Sequence, residues 1–126
     1  MRNKKTPQVI ENKKSVFWDC DDTLVMWDDQ FTQPGGKKEP FIDCYDGATL
    51  YLKPHKKHIQ KLKGYANSGW HVVVWSAGGW KWAKTVVYTL QLEGYVDIIM
   101  GKPEICFDDL PVGEGVGRRE YYQDKK

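Results

Sequence analysis

The sequence predicts an α/β fold built on a central, mainly parallel sheet. Three apolar runs, at 16–18, 70–75 and 95–100, are rich in the β-branched and aromatic residues that suit strands buried on both faces. Segments with helical spacing of apolar residues follow the first two runs. Polar residues come directly after each run, where open α/β sheets place their ligands. The pattern therefore predicts both a fold class and the sheet edge that carries the site.

Length and charge fit one compact domain. The chain has 126 residues, near the commonest domain size, and we expect a flexible basic leader at 1–14 and a single domain at 15–126. A formal net charge of +2 implies no strong overall attraction to nucleic acid or membranes. No apolar stretch approaches the ~20 residues of a membrane span, and no apolar signal core opens the chain. We therefore expect a cytoplasmic protein.

The number and spacing of the three cysteines argue against disulfide bonds and against a structural zinc site. Cys20, Cys44 and Cys106 are odd in number and show no C-x-x-C spacing. A disulfide framework and a structural zinc site are therefore not expected.

The first strand is expected at Ser15 to Asp19, in the centre of the sheet, and three closely spaced aspartates lie at its end. Asp19, Asp21 and Asp22 fall within four residues. Like charges this close repel, so a cation or hydrogen-bond donors must lie nearby. A hard divalent metal such as Mg²⁺ is the natural partner of such oxygen ligands.

Residues 24–51 are expected to form a hairpin insert. Pro34-Gly35-Gly36 is strong turn chemistry, and 41–47 would return the chain to the domain. Asp43 and Asp46 are assigned to turn and surface roles.

A helix is predicted to open at Leu52-Lys53-Pro54, because proline suits the first helical turn, and to end at Asn67-Ser68-Gly69. His55 and His58 lie three apart on this lysine-rich helix without a third ligand, which favours surface positions over metal binding.

Ser76 follows the second core strand and opens a small-residue turn with Ala77. A hydroxyl and exposed backbone N–H groups before a helix make a phosphate cradle. The competing interpretation is that Ser76 only caps the helix, which is predicted to start near Gly79 and stop near Gly94.

Lys102 follows the third core strand and would place a compact positive charge at the same edge. A short fourth strand is expected at 104–107, delivering Asp108 and Asp109 as further oxygen ligands. Taken alone, Lys102 would be an ordinary surface lysine.

Together these features resemble the haloacid dehalogenase-like (HAD) phosphatases. Asp19-Cys20-Asp21-Asp22-Thr23 fits the D-x-D-x-T signature, and Ser76, Lys102 and the Asp108-Asp109 pair follow in the family's order across residues 15 to 110. The resemblance implies a three-layer, Rossmann-like sandwich with a small β-hairpin flap. About thirty residues between Thr23 and the next helix are too few for a full cap domain. The chain looks like a minimal, capless member.

The resemblance also implies roles for individual residues. Asp19 would be the nucleophile that forms an aspartyl-phosphate, and Asp21 the general acid and base. Mg²⁺ would be held by Asp19, the backbone carbonyl of Asp21 and Asp108, with Asp109 in support. The phosphate would be bound by Ser76, Ala77 and Lys102, and Thr23 would steady the loop.

Two rival classes are weighed. A phosphorelay receiver domain would use Asp46, Ser76 and Lys102, but only 23 residues separate Asp22 from Asp46, short of the ~30 that a βαβ unit needs. A HAD-like binding or regulatory module without turnover is the other rival, and the complete set of acids argues against it.

The substrate is the least determined feature. Aromatic residues near the expected rim, Trp27, Trp80 and Tyr45, suit stacking on a base, so a nucleotide or a nucleic-acid phosphate end is the leading substrate hypothesis. A small sugar or metabolite phosphate is the alternative.

Overall fold

The computed structural model describes residues 5–11, 14–27, 37–111 and 113–122. Its elements in chain order are β1 (Ser15–Asp19), β2 (Val25–Met26), β3 (Glu39–Ile42), β4 (Thr49–Pro54), α1 (Lys56–Asn67), β5 (His71–Ser76), α2 (Trp80–Thr89) and β6 (Ile98–Gly101). They form a mixed α/β structure with one parallel and one antiparallel sheet, each of three strands. The predicted fold class is confirmed at this level.

The parallel sheet has the order β1-β5-β6 and carries the site at its carboxyl edge. Asp19 pairs in register with Trp75, and Ser76 pairs with Gly101. The ends of all three strands therefore lie side by side. The prediction that β1 is central is wrong for the described strands, because β5 takes that place and Phe17 on β1 is 43% exposed.

The antiparallel sheet has the order β2-β4-β3 and is the expected β-hairpin flap. Its β3–β4 turn is held by two aspartates: Asp43 Oδ1 accepts from Tyr45 N and Asp46 Oδ1 accepts from Ala48 N, each at 2.8 Å. Both aspartates therefore have the predicted turn role. The predicted turn at 34–36 lies outside the described residues.

Helix α1 begins later than predicted. Pro54 is the last residue of β4, and His55 is the N-cap residue, whose Nδ1 accepts from His58 N at 3.1 Å. The surface assignment of the two histidines is wrong: His55 is 0% exposed and His58 1%. The predicted end is confirmed, with the helix closing at Asn67 and Gly69 at a positive φ of 84°.

Helix α2 starts after Gly79 as predicted but ends early. Gly79 has a φ of 101°, which favours glycine, whereas the helix stops at Thr89 rather than near Gly94. The turn after it includes Gln91 at a φ of 58°. The following strand is shorter than the predicted 95–100, because Tyr95 and Val96 still belong to the connection.

The predicted fourth strand at 104–107 is wrong. These residues form no strand and are exposed, with Ile105 at 76% and Phe107 at 99%. Strand β1 pairs only with β5 among the described strands. The apolar side chains of the 104–107 segment remain exposed, so no burial stabilises a strand there.

One core joins both sheets and both helices. Leu24 follows β1, Phe41 lies on β3, Leu62 on α1 and Val86 on α2, and all four are fully buried in one cluster. In the part of the chain that the structure describes, no helix is long and apolar enough to cross a membrane. The described residues of the expected leader, 5–11 and 14, are exposed and form no helix or strand.

Candidate active site

The acidic loop after β1 is a tight, hydrogen-bonded turn. The carbonyl of Cys20 accepts from Leu24 N at 2.9 Å and from Val25 N at 3.1 Å, which turns the chain back into β2. Asp22 takes a φ of 58°, a left-handed conformation that aspartate tolerates better than most residues. The turn fixes the backbone on either side of Asp21 and leaves Asp19 and Asp21 partly exposed.

Asp19 is contacted on both carboxylate oxygens. Lys102 Nζ lies 3.2 Å from Oδ1, and the Thr23 hydroxyl lies 3.4 Å from Oδ2, a long hydrogen bond. Asp19 is 32% exposed and Lys102 37%, so both side chains remain accessible from solvent. The structure thus brings together the three residues assigned to nucleophile, phosphate binding and loop support.

Ser76 lies beside this pair at the end of β5. It is fully buried, its Oγ accepts from Gly78 N at 3.0 Å, and its carbonyl accepts from Lys102 N at 2.9 Å. A hydroxyl that accepts a hydrogen bond can still donate its own proton. The second of these bonds ties the start of the Lys102 segment to the Ser76 turn, whose next residue, Ala77, is exposed.

Asp21 is held by two indole groups. Trp27 Nε1 and Trp82 Nε1 each donate to Asp21 Oδ1 at 2.8 Å, one from the end of β2 and one from α2. Both donors bind the same oxygen, so the two indoles leave Asp21 Oδ2 for a further hydrogen bond.

Sequence reasoning missed this function of the tryptophans. Trp82 fits the apolar stripe of its helix and is indeed 94% buried, so its spacing predicted packing only. A tryptophan near buried polar groups usually finds an acceptor for its N–H, but the sequence does not say which.

An open cavity of about 160 Å³ lies against Asp21. Its aromatic wall consists of Trp27, Tyr45 and Trp82, and Asp43 supplies a second carboxylate. The Tyr45 hydroxyl donates to the Gly78 carbonyl and so links the flap to the Ser76 turn. Desolvation and the neighbouring Cys44 raise the pKa of the Tyr45 phenol above its ordinary value.

Asp108 and Asp109 lie on the exposed segment that follows Lys102. Within the described residues, no three or more His, Cys, Asp or Glu side chains form a group able to hold a metal. Asp108 Oδ1 accepts from Leu110 N at 3.0 Å, and this bond is the main cause that lowers the pKa of Asp108. The assignment of Asp108 and Asp109 as metal ligands therefore stays a prediction.

Cys20 lies inside the acidic motif but is not a nucleophile. It is fully buried, and burial raises the pKa of its thiol, with the Asp21 and Asp19 carboxylates adding to the rise. A thiol kept protonated is a weak nucleophile. Cys20 instead fills core space beneath the loop.

A histidine pair supports the acidic loop from behind. The His58 Nδ1 lies 2.7 Å from the Thr23 carbonyl, and its Nε2 accepts from Tyr122 N at 2.9 Å. The His55 ring stacks on it at 3.7 Å, and Tyr121 donates its hydroxyl proton to the Asp22 carbonyl at 2.9 Å. Because α1 and the C-terminal segment both bind the backbone of the loop, they fix the position from which Asp19 and Asp21 project.

The receiver-domain alternative does not fit this geometry. Asp46, its would-be phosphorylated residue, is an exposed turn residue of the antiparallel sheet. It does not lie at the carboxyl end of a parallel strand beside Lys102.

Comparison of this chain with protein-family profiles, with curated proteins and with solved structures gives no match.

Proposed function

We propose that this protein is a Mg²⁺-dependent phosphomonoester hydrolase that acts through an aspartyl-phosphate, in a minimal, three-layer, Rossmann-like HAD-type domain. The observation that carries the proposal is the contact of Lys102 Nζ with Asp19 Oδ1 at 3.2 Å, made between the ends of two parallel strands. A solvent-accessible ion pair contributes little to stability, about 0–1 kcal/mol, so packing gives no reason for it. A lysine beside a carboxylate at a strand end does suit the binding of an anionic substrate.

Asp19 is the nucleophile in the proposed mechanism. A carboxylate oxygen of Asp19 attacks phosphorus, the bond from phosphorus to the ester oxygen breaks, and Asp21 gives its proton to the departing oxygen. Asp21 then takes a proton from water, and the resulting hydroxide attacks the aspartyl-phosphate. Inorganic phosphate leaves and both acids return to their starting states.

The phosphoryl oxygens are held by Lys102, the Ser76 hydroxyl and the backbone N–H of Ala77. Lys102 offsets the repulsion between an anionic carboxylate and an anionic phosphate. Ser76 and Ala77 occupy the turn before α2, where N–H groups and the helix dipole favour anions. These groups are proposed to bind the transferring group more tightly as charge develops.

Mg²⁺ is proposed as the cofactor, with Asp19 and the Asp21 carbonyl as two of its ligands. When bound, it would neutralise charge on the transferring group. Asp108 and Asp109 are the remaining proposed ligands.

The substrate is proposed to be a nucleotide or a nucleic-acid phosphate end, or alternatively a small sugar or metabolite phosphate. Aromatic side chains around the acid, Trp27 and Tyr45 among them, support a substrate with an apolar or planar group. The protein is expected to work in the cytoplasm. A non-catalytic binding module remains the competing functional class.

The test is release of inorganic phosphate from a generic aryl phosphate, measured with and without Mg²⁺. We expect metal-dependent turnover in the wild type and none above background in Asp19→Asn, which keeps the shape of the side chain but removes the nucleophile. Asp46→Asn is the matched control, because it changes an exposed turn aspartate outside the site. Equal turnover in wild type and Asp19→Asn would contradict the proposal, and absence of turnover with retained Mg²⁺ binding would favour the binding module.

A further inference from the structure

The cavity beside Asp21 has an unusual balance of polar groups. The described residues that line it include two carboxylates, Asp21 and Asp43, and no lysine or arginine. Its best hydrogen-bond donors are already used, since the indole N–H groups of Trp27 and Trp82 donate to Asp21 and the Tyr45 hydroxyl donates to Gly78. The cavity therefore offers negative charge and aromatic surface to a ligand, but few donors.

Anionic leaving groups are disfavoured by this balance. A second phosphate, as in a nucleoside diphosphate or an oligonucleotide end, would meet Asp43 without a cation to neutralise it. The complementary ligand is uncharged or, better, positively charged.

Ring geometry separates a flat base from a compact cation. The centroids of the Trp27 and Trp82 rings lie 6.2 Å apart with planes inclined at 48°. Two rings at this angle cannot both stack on one planar base. A compact ammonium group need only lie over the face of one ring, within about 6 Å of its centroid, so the inclination of the second ring does not exclude it.

We propose that this cavity is the leaving-group subsite and that it takes a compact organic ammonium, so that the substrate is an aminoalkyl phosphate such as choline phosphate. The proposal rests on the phosphatase function for its catalytic meaning, because the group bound here is the one that Asp21 protonates. The cation site itself rests on the cavity alone. Of the two substrate classes proposed above, a cation site favours a small metabolite phosphate over a nucleic-acid phosphate end.

The first test compares choline phosphate with its uncharged isostere, in which a quaternary carbon replaces the nitrogen. Shape and leaving-group structure match, so a difference in kcat/KM reports the charge. We expect choline phosphate to be preferred about tenfold or more, as cation–π contacts and a nearby carboxylate together predict. Nucleoside monophosphates are measured beside them, and a generic aryl phosphate reports phosphatase activity as such.

The second test measures binding of free choline, followed by quenching of tryptophan fluorescence, and needs no turnover. Asp43→Asn should weaken binding about fivefold, because it removes the charge and keeps an Oδ1 that can accept from Tyr45 N. The control Asp46→Asn makes the same change in the same turn, outside the cavity, and should leave choline binding as in the wild type.

The outcomes separate the two proposals. Choline binding that Asp43→Asn weakens, without turnover of any phosphate ester, would retain the cation site and reject the phosphatase. Aryl phosphate turnover with equal use of choline phosphate and its isostere would retain the phosphatase and reject the cation site. Preference for nucleoside monophosphates over choline phosphate would also reject it and place a base in the cavity.

Discussion

Lys102 meets Asp19 only because two strand ends lie close together in the sheet. The pair is accessible to solvent and contributes about 0–1 kcal/mol to stability. Its value for a phosphatase is larger, because removing one preorganised donor to a transition state typically lowers kcat by about 10²–10³.

We therefore expect Lys102→Ala to lower kcat for aryl phosphate about 100-fold or more while changing the free energy of unfolding by less than about 1 kcal/mol. Steady-state kinetics and urea denaturation measure the two effects. Lys84→Ala, an exposed lysine on α2, is the control. A stability loss as large as the activity loss would mean that the lysine is structural.

Trp82 and Trp27 position the side chain of Asp21 through their indole N–H groups. Each donates an indole N–H to Asp21 Oδ1, so each fixes the carboxylate that we propose passes a proton to the leaving group. Positioning of this kind acts on the chemical step more than on binding.

Replacing Trp82 by Phe keeps an aromatic ring and removes the N–H. We expect kcat for aryl phosphate to fall about tenfold, because Asp21 loses one of its two indole donors. KM for aryl phosphate should change little, because the phenylalanine ring can still pack on Phe41. Trp80→Phe is the matched control on the same helix, because Trp80 is exposed and does not line the cavity beside Asp21. A rise in KM at constant kcat would contradict the positioning role.

At the scale of elements, the acidic loop depends on two segments that carry no catalytic group. Helix α1 supplies His58, whose ring contacts the Thr23 carbonyl, and the C-terminal segment supplies Tyr122, whose N–H binds the same ring. A buried ring with partners on both nitrogens is costly to remove, because its partners lose their hydrogen bonds without gaining water.

We expect His58→Ala to lower the free energy of unfolding by about 2–4 kcal/mol, from the cavity and the unpaired backbone groups together. Urea denaturation measures this. Gln60→Ala, an exposed position on the same helix, should change stability by less than about 0.5 kcal/mol. Equal small effects of both substitutions would show that the histidine contacts do not hold the loop.

At the scale of the whole molecule, the flap and the parallel sheet form one structural unit. Phe41 on β3 is fully buried and packs on Trp82 of α2, with ring centroids 6.3 Å apart. The Tyr45 hydroxyl bonds to the Gly78 carbonyl and adds a second link between the two parts. Because Trp82 also binds Asp21, the packing between the sheets and the geometry of the site depend on each other.

Phe41→Ala should destabilise the entire domain by about 3–5 kcal/mol and should not release the flap alone. We expect tryptophan fluorescence and far-UV circular dichroism to report one coincident unfolding transition in wild type and variant, shifted to lower urea in the variant. Tyr51→Ala, an exposed residue on β4, is the control. Separate transitions for the two probes would mean that the flap folds independently.

Local patterns predicted much of the fold. The apolar runs and helical spacing located β1, β5, β6, α1 and α2 within a few residues, because burial against a sheet imposes period and composition on the chain. Errors arose where a pattern has two solutions. Pro54 suits a helix start and also a strand end, and the apolar residues of 104–107 suit a strand but lie on an exposed segment.

For the site, the order of residues along the chain predicts that acids, a serine and a lysine follow parallel strands, and a parallel sheet brings such strand ends to one edge. Which groups touch depends on how the elements pack in three dimensions. The distance from Lys102 to Asp19, the two indoles on Asp21 and the burial of His55 and His58 each join residues from different elements. The physical reason is that periodicity specifies which face of an element is buried, whereas the partner of a buried polar group is set by packing between elements.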